Sequence, residues 1–193
     1  AVTGGSVTFD KTVPTLSSVS IASNNSTTTL AKVADVVTLT FTASATIATP
    51  VVTFQSGSAA ITDNSITYVN TSGNIWTAAY TANALDTEGS VTYSIAFSDS
   101  AGNAGTAVTS GSGSVTFDKT APTLSSVSIA SNNSTTTLAK ASNVVTLTFT
   151  ASETIATPVV TFQSGGAVIT ASVTHENTSV NIWTAAYTAN DSD

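Results

Sequence analysis

Residues 6–32 read SVTFDKTVPTLSSVSIASNNSTTTLAK, and residues 114–140 repeat them with one change, Val13 to Ala121. The match extends over 6–62 and 114–170 at an offset of 108 residues, with seven differences. NIWTAAYTAN then recurs at 74–83 and 181–190, at an offset shorter by one residue. A unit of this length is a whole domain, because solenoid repeats are much shorter.

The alignment predicts how the chain is divided. Residues 1–9 match the end of the segment 107–117, so we expect them to be the last strand of a preceding repeat. Residues 10–117 then form a complete repeat. Residues 118–193 form a second repeat that is truncated before its last two strands. The chain is therefore expected to be a window from a longer tandem array.

Within a repeat the apolar residues alternate with a period of two, which indicates β-strands. In VVTLTFTA at 36–43, Val37, Leu39 and Phe41 share one face and threonines share the other. Further strands are predicted at 16–21, 50–54, 66–69, 75–80, 91–97 and 107–117. Seven short strands separated by turn residues predict an all-β fold of tandem immunoglobulin-like antiparallel β-sandwiches, the second repeat being incomplete. Trp76 and Trp183 are the expected core anchors.

Composition excludes several classes of function. The net charge is −7, with four Lys and no Arg, so the chain has too few cations to bind nucleic acid. Cys is absent, which excludes thiol catalysis and disulfides. No apolar run is long enough to span a membrane. Low charge, 29 Ser and 39 Thr favour a secreted, extracellular or cell-surface protein of a bacterium or archaeon.

The sequence predicts no enzyme. His175 is the single His, and Tyr68 replaces it in the first repeat. A catalytic base present in only one of two nearly identical repeats is not expected, so His175 is interpreted as an incidental surface residue. No catalytic or cofactor-binding residue is predicted.

Two segments, FDKTAPTLSSVSIAS at 117–131 and FSDSAGNAGTA at 97–107, resemble the bacterial Ig-like repeats of giant surface adhesins and other large secreted repeat proteins. The resemblance covers the whole chain. It implies domains that act as extenders, stacked end to end in an adhesin, a surface layer or a filament. Family members often carry Asp-Thr-Thr at the junction, where this chain has Asp-Lys-Thr. The Lys could partly take the place of an ion there.

The few acids cluster where repeats are expected to join. In an Ig-like sandwich, the loop that carries Asp86 and Glu88 lies near the point where the last strand leaves the domain. Asp118 comes directly after that strand. Glu153, in the second repeat, is expected to face back toward them, and Asp10 and Asp99 form a weaker pair at the other end. Calcium prefers six to eight oxygen ligands. We therefore predict structural Ca²⁺ at the junctions, with ordinary turn capping by these acids as the alternative.

Three functions follow as hypotheses. The first is a structural extender whose partners are neighbouring repeats of the same chain. The second is a carbohydrate- or ligand-binding β-sandwich, for which Tyr68 is the best candidate for an exposed aromatic residue. The third is a subunit of a fibre, in which identical subunits exchange strands such as 1–9.

Overall fold

The computed structural model describes residues 4–63 and 65–193, and the chain divides into two compact units, Ala1–Lys119 and Thr120–Asp193. Every regular element in the described residues is a strand. None of these residues forms a helix long and apolar enough to cross a membrane. Of the predicted strand at 1–9, residues 1–3 lie outside the described residues, and 4–9 are in no strand.

Unit 1 contains nine strands in its described residues. They are β1 (Leu16–Ser23), β2 (Leu30–Ala31), β3 (Val36–Ala43), β4 (Val51–Ser56), β5 (Ala59–Ala60), β6 (Thr67–Ser72), β7 (Ile75–Thr81), β8 (Gly89–Ala96) and β9 (Thr116–Phe117). One sheet has the order β1-β3-β7-β6 and the other β2-β9-β8-β4-β5. All pairings are antiparallel except that of β2 with β9, which is parallel. This is the strand arrangement of an immunoglobulin-like sandwich.

The predicted alternation is confirmed in the core of unit 1. Val37, Leu39 and Phe41 are fully buried, and Thr38, Thr40 and Thr42 between them are only partly covered. Side chains of the facing sheet pack against this sheet. Phe54 of β4, for example, contacts Tyr80 of β7, with ring centroids 4.8 Å apart. The core is therefore built from both inner faces, without a disulfide.

The last strand of unit 1 is shorter than predicted. The segment 107–117 contains only the two-residue strand β9, preceded by isolated bridges at Val108 and Ser112. Glycine explains the irregular course. Gly113 has φ of +76°, and a Cβ there would lie 2.3 Å from the carbonyl oxygen of Ile21. The segment therefore approaches the backbone of β1 more closely than a side chain would allow.

Unit 2 repeats half of this arrangement. Its strands are β10 (Leu124–Ser131), β11 (Val144–Ala151), β12 (Gln163–Ser164), β13 (Ala167–Val168), β14 (Thr174–Ser179) and β15 (Ile182–Thr188). One sheet has the order β10-β11-β15-β14, equivalent to the first sheet of unit 1, and β12 pairs only with β13. Its core is a smaller cluster around Val145, Phe162, Ile169 and Ala185.

Candidate functional site at the exit of the first unit

Asp86 anchors the loop between β7 and β8. Its side chain is buried, and Oδ1 accepts hydrogen bonds from the backbone N of Thr62 at 2.7 Å and from its Oγ1 at 2.8 Å. Oδ2 accepts from the backbone N of Asn83 at 2.8 Å. Both carboxylate oxygens are thus engaged by donors of the same unit, which compensates for burying the charge.

Lys119 binds the backbone of this loop. Its Nζ donates to the carbonyl oxygens of Ala84 at 3.0 Å and Asp86 at 2.8 Å. Its backbone N donates to Oε1 of Glu88 at 2.8 Å. We call this set, formed by Lys119 with Ala84, Asp86 and Glu88, the Lys119 clasp. It holds the chain two residues after β9 ends, where the chain leaves unit 1.

The charge of Asp86 also affects a buried phenol. Burial raises the pKa of Tyr80, and the negative charge of Asp86 raises it further. The Tyr80 hydroxyl is buried and has no hydrogen-bond partner in the described part of the chain. Tyr80 therefore stays neutral, and its role is to pack in the core.

Asp99 caps the turn at the other end of unit 1. Its Oδ1 accepts from the backbone N atoms of Ala101 at 2.9 Å and Asn103 at 2.8 Å, and its Oδ2 accepts from Nδ2 of Asn103 at 2.8 Å. The side-chain bond from Asn103 is the main reason why the pKa of Asp99 is lowered. Asn103 Nδ2 also donates to the backbone oxygen of Asp10 at 3.2 Å. The predicted pair Asp10 and Asp99 is therefore joined through an amide side chain.

The six acids predicted as calcium ligands are brought together only in part. Asp86 and Glu88 share Lys119, and Asp10 and Asp99 share Asn103. Glu153 belongs to unit 2, so its convergence with Asp86, Glu88 and Asp118 stays a prediction. Over residues 4–63 and 65–193 no three His, Asp or Glu side chains form a group that could hold a metal ion. The backbone oxygen of Asp86 binds the ammonium group of Lys119. Calcium also binds carbonyl oxygens, so the ammonium group takes an acceptor that a calcium ion would use.

Tyr68 is less exposed than the sequence suggested. Its ring packs against the core, and its hydroxyl accepts from the backbone N of Val52 at 3.0 Å. Its counterpart His175 is half-buried, and its Nε2 is buried with no partner in the described residues. Tyr68 is therefore a structural residue, and His175 is more covered than its interpretation as an incidental surface residue implied.

One charged cluster escaped the sequence analysis. Asp35 Oδ1 forms an ion pair with Nζ of Lys32 at 2.9 Å, and Oδ2 accepts from the backbone N of Lys32 at 2.9 Å and Nδ2 of Asn25 at 2.7 Å. The backbone bond is the largest cause that lowers the pKa of Asp35 to about 2, followed by the Asn25 bond. Asp35 is one of the seven positions that differ between repeats, and that difference was an available signal.

The strand order decides the type of domain. The chain has an immunoglobulin-like fold. Among solved structures, the titin domains Z1Z2 in complex with telethonin are 16% identical, with 96% of this chain and 86% of that chain covered and a TM-score of 0.33. The titin Ig tandem domains A164–A165 are 14% identical, with 92% and 82% covered and a TM-score of 0.30. No protein-family profile and no curated protein matched the chain.

Proposed function

We propose that this chain is a non-enzymatic structural extender of a bacterial or archaeal cell-surface adhesin, surface layer or extracellular filament. The Lys119 clasp carries the proposal. A spacer must restrict the direction in which the chain leaves each domain. The clasp does this by attaching the start of the linker to the folded body of unit 1. Pro122 follows closely, and the residue before a proline is restricted to extended geometry.

The strand pairing also suits a part that bears tension. The chain enters unit 1 through β1 and leaves it after β9, and the pairings that join residues 20–31 to residues 112–117 are parallel: Ser20 with Ser112, Leu30 with Thr116, and Ala31 with Phe117. Pulling on the two ends therefore loads the hydrogen bonds between them in shear. Several bonds must then break together instead of one after another.

The same fold could carry a ligand-binding surface, which is the second hypothesis from the sequence. That hypothesis needed an exposed aromatic platform, and its best candidate, Tyr68, uses its ring and hydroxyl within unit 1. The contacts of unit 1 therefore favour the extender.

The location can be tested on cells of the source organism. Antibody fragments raised against unit 1 should label intact cells by immunogold microscopy, and brief protease treatment of intact cells should remove the label. An antibody against a cytosolic protein of the same cells serves as the control. Labelling that requires permeabilised cells would contradict a surface role.

Calcium at the junction remains a separate proposal. Because Lys119 already provides a cation to the loop carbonyls, calcium would have to use Glu88, Asp118 and Glu153. We expect calcium to raise the melting temperature and lengthen the particle in small-angle scattering, relative to a chelator, and Asp118→Ala to abolish both effects. Equal values with calcium and with chelator would refute it, and would leave the extender proposal intact.

A further inference from the structure

The chain contains seven Asn-x-Ser/Thr tripeptides, which are acceptor sequences for N-linked glycans. Their asparagines are Asn24, Asn25, Asn70, Asn132, Asn133, Asn177 and Asn190. Ser and Thr are so frequent in this chain that composition alone would produce such tripeptides. The contacts of each asparagine, however, separate the seven into two groups.

The first group consists of asparagines whose side chains hold a turn together. Asn24 Oδ1 accepts from the backbone N of Val36 at 2.8 Å, and Asn25 Nδ2 donates to Oδ2 of Asp35 at 2.7 Å. The others bond in similar ways: Asn132 and Asn133 in the equivalent turn of unit 2, and Asn190 to Asp193. Each of these side chains would have to break a bond of its turn before it entered the active site of an enzyme.

Asn70 and Asn177 form the second group. They lie at equivalent positions of β6 and β14, and both are exposed. No described residue forms a hydrogen bond with either side chain. Ser72 and Ser179, which complete the two tripeptides, are exposed as well. Because β6 and β14 are edge strands, each paired with one neighbour, an enzyme can approach the whole tripeptide from the open side.

The pairing of the edge strand is interrupted within the tripeptide. Asn70 lies opposite Trp76 and Ser72 lies opposite Ile75, so Thr71 is an extra residue without a partner in the register. The register of β14 shifts in the same way between Asn177 and its serine. Such a bulge disrupts the ladder locally, so both tripeptides are held less firmly than a regular strand.

The tripeptide is unchanged between the repeats although its surroundings differ. Four of nine residues differ between 66–74 and 173–181, compared with seven of 57 between 6–62 and 114–170. Asn70, Thr71 and Ser72 are all retained. A bond from Thr71 Oγ1 to the carbonyl oxygen of Ile75 at 3.3 Å gives Thr71 a structural role. No contact of this kind in the described residues explains Asn70 or Ser72, whereas an acceptor tripeptide requires both.

We propose that Asn70 and Asn177 carry glycans on Nδ2. A cellular transferase forms the bond from Nδ2 to the anomeric carbon of a sugar that is held on a lipid-linked phosphate donor. The bond from that carbon to the phosphate oxygen breaks, the phosphate leaves with the electron pair, and Nδ2 loses one proton to a base. The inference rests on the proposed surface location, because a chain inside the cell would not meet such a transferase.

A glycan at this position would cover the edge of the sheet. The row of unpaired backbone groups on an edge strand is a template for pairing with another chain. Charged side chains are a common protection, but β6 has none, and its Val69 is 51% exposed. A bulky, soluble group on Asn70 supplies the protection that the side chains of β6 lack.

Mass spectrometry of the chain isolated from the surface of its source cells tests the proposal. Chymotrypsin cleaves after aromatic residues, so peptide 69–76 contains Asn70 as its single acceptor and peptide 163–183 contains Asn177. We expect both peptides to carry added sugar mass, localised to the asparagine by electron-transfer fragmentation. Peptides that contain residues 24–25 and 132–133 should be unmodified.

Four variants expressed in the source organism identify the acceptor. Asn70→Gln and Ser72→Ala should each remove the added mass from peptide 69–76, while Ser72→Thr, which keeps the required hydroxyl, should retain it. Asn74→Gln is the matched control, because Asn74 lies in the same peptide but in no acceptor tripeptide. Asn177 should stay modified in all four variants, which shows that each variant was exported and met the transferase.

Three results would overturn the proposal. They are an unmodified peptide 69–76 in the chain from the cell surface, added mass that persists in Asn70→Gln and therefore lies on a hydroxyl, and equal modification of residues 24–25. The immunogold experiment keeps this outcome separate from the fate of the extender. Label on intact cells together with unmodified peptides would refute the glycans and leave the surface role intact.

Discussion

Lys119 joins the linker to the loop between β7 and β8 with charged hydrogen bonds to main-chain carbonyl oxygens. A carbonyl oxygen is a fixed acceptor, because its position is set by the backbone and not by a rotamer. The loop itself is held by the buried carboxylate of Asp86. The linker is thus attached to the part of the loop that is least free to move.

We expect Lys119→Met to lower the free energy of unfolding of unit 1 by about 1 kcal/mol, because it removes charged hydrogen bonds at a partly exposed site. Lys11→Met is the matched control, since Lys11 occupies the same position of the repeat and the variant loses the same charge. Urea unfolding followed by Trp fluorescence measures both. Equal losses in the two variants would mean that the clasp contributes nothing.

The pair Asp35 and Lys32 should make unit 1 sensitive to acid. Because the pKa of Asp35 is lowered to about 2 in the folded state, its contribution to stability is present above its unfolded value of about 3.9. It is lost as the pH falls through about 2. In Asp35→Asn we expect a lower free energy of unfolding at neutral pH, a flatter decline between these pH values, and little difference from the wild type near pH 2, as measured by urea titrations at each pH.

Unit 2 shows why the substitution is tolerated. Asn143 stands at the equivalent position, and its Oδ1 accepts from Nδ2 of Asn133 at 3.0 Å and from the backbone N of Lys140 at 2.9 Å. The asparagine thus keeps the neutral bonds and loses only the ion pair. An acid dependence unchanged by Asp35→Asn would show that the ion pair does not stabilise unit 1.

Calcium ligands were predicted from residue types alone. Predicting such a site is harder than predicting the fold, and the contacts show why. A carboxylate in a loop has the same sequence signature whether it binds a metal or caps backbone N–H groups. For Asp86 and Asp99 the described partners are backbone and side-chain donors of their own unit. Which donor reaches a carboxylate depends on loop geometry, and a period-two pattern carries no information about it.

At the scale of elements, alternation predicted the long strands well. The strands at 36–43 and 75–81 have apolar residues at every second position, and those alternate residues are buried, four of eight in the first strand and three of seven in the second. The length of the last strand was not predicted correctly, because Ser and Gly fill the region before Val115 and little apolar alternation remains there. The short strands β2 and β5 have two residues each, too few to show a period.

β9 is short, yet it connects β2 to β8, so it should matter more than its length suggests. We expect Thr116→Pro to lower the free energy of unfolding of unit 1 by about 2 kcal/mol, because proline cannot donate the bond to Thr29 O. It should also lower the force needed to unfold unit 1 when the chain is pulled by its ends in an optical trap.

Thr8→Pro is the matched control for β9. Thr8 has the same neighbours in sequence but lies in the exposed segment 4–9. In dilute solution the control should therefore unfold at the wild-type force. If Thr116→Pro also unfolded at that force, the shear argument for the β2–β9 pairing would fail.

At the scale of the whole molecule, the repeat provides an internal comparison. β1 and β10 have the same sequence, so their amides have the same intrinsic rates of hydrogen exchange. Their surroundings differ, since Ile21 N donates to Ser112 O in unit 1 and the described residues of unit 2 contain no counterpart of the segment 112–117. Any difference in exchange therefore reports the surroundings of the strand and not its sequence.

We expect the amide of Ile129 to exchange about ten times faster than that of Ile21 or more, because a hydrogen bond contributes about 1 kcal/mol and unit 2 has the smaller core. Mass spectrometry can separate the two strands through peptides that begin at Val13 and Ala121, which differ in mass. Equal exchange rates at Ile129 and Ile21 would show that the bond to Ser112 O and the larger core of unit 1 do not protect β1.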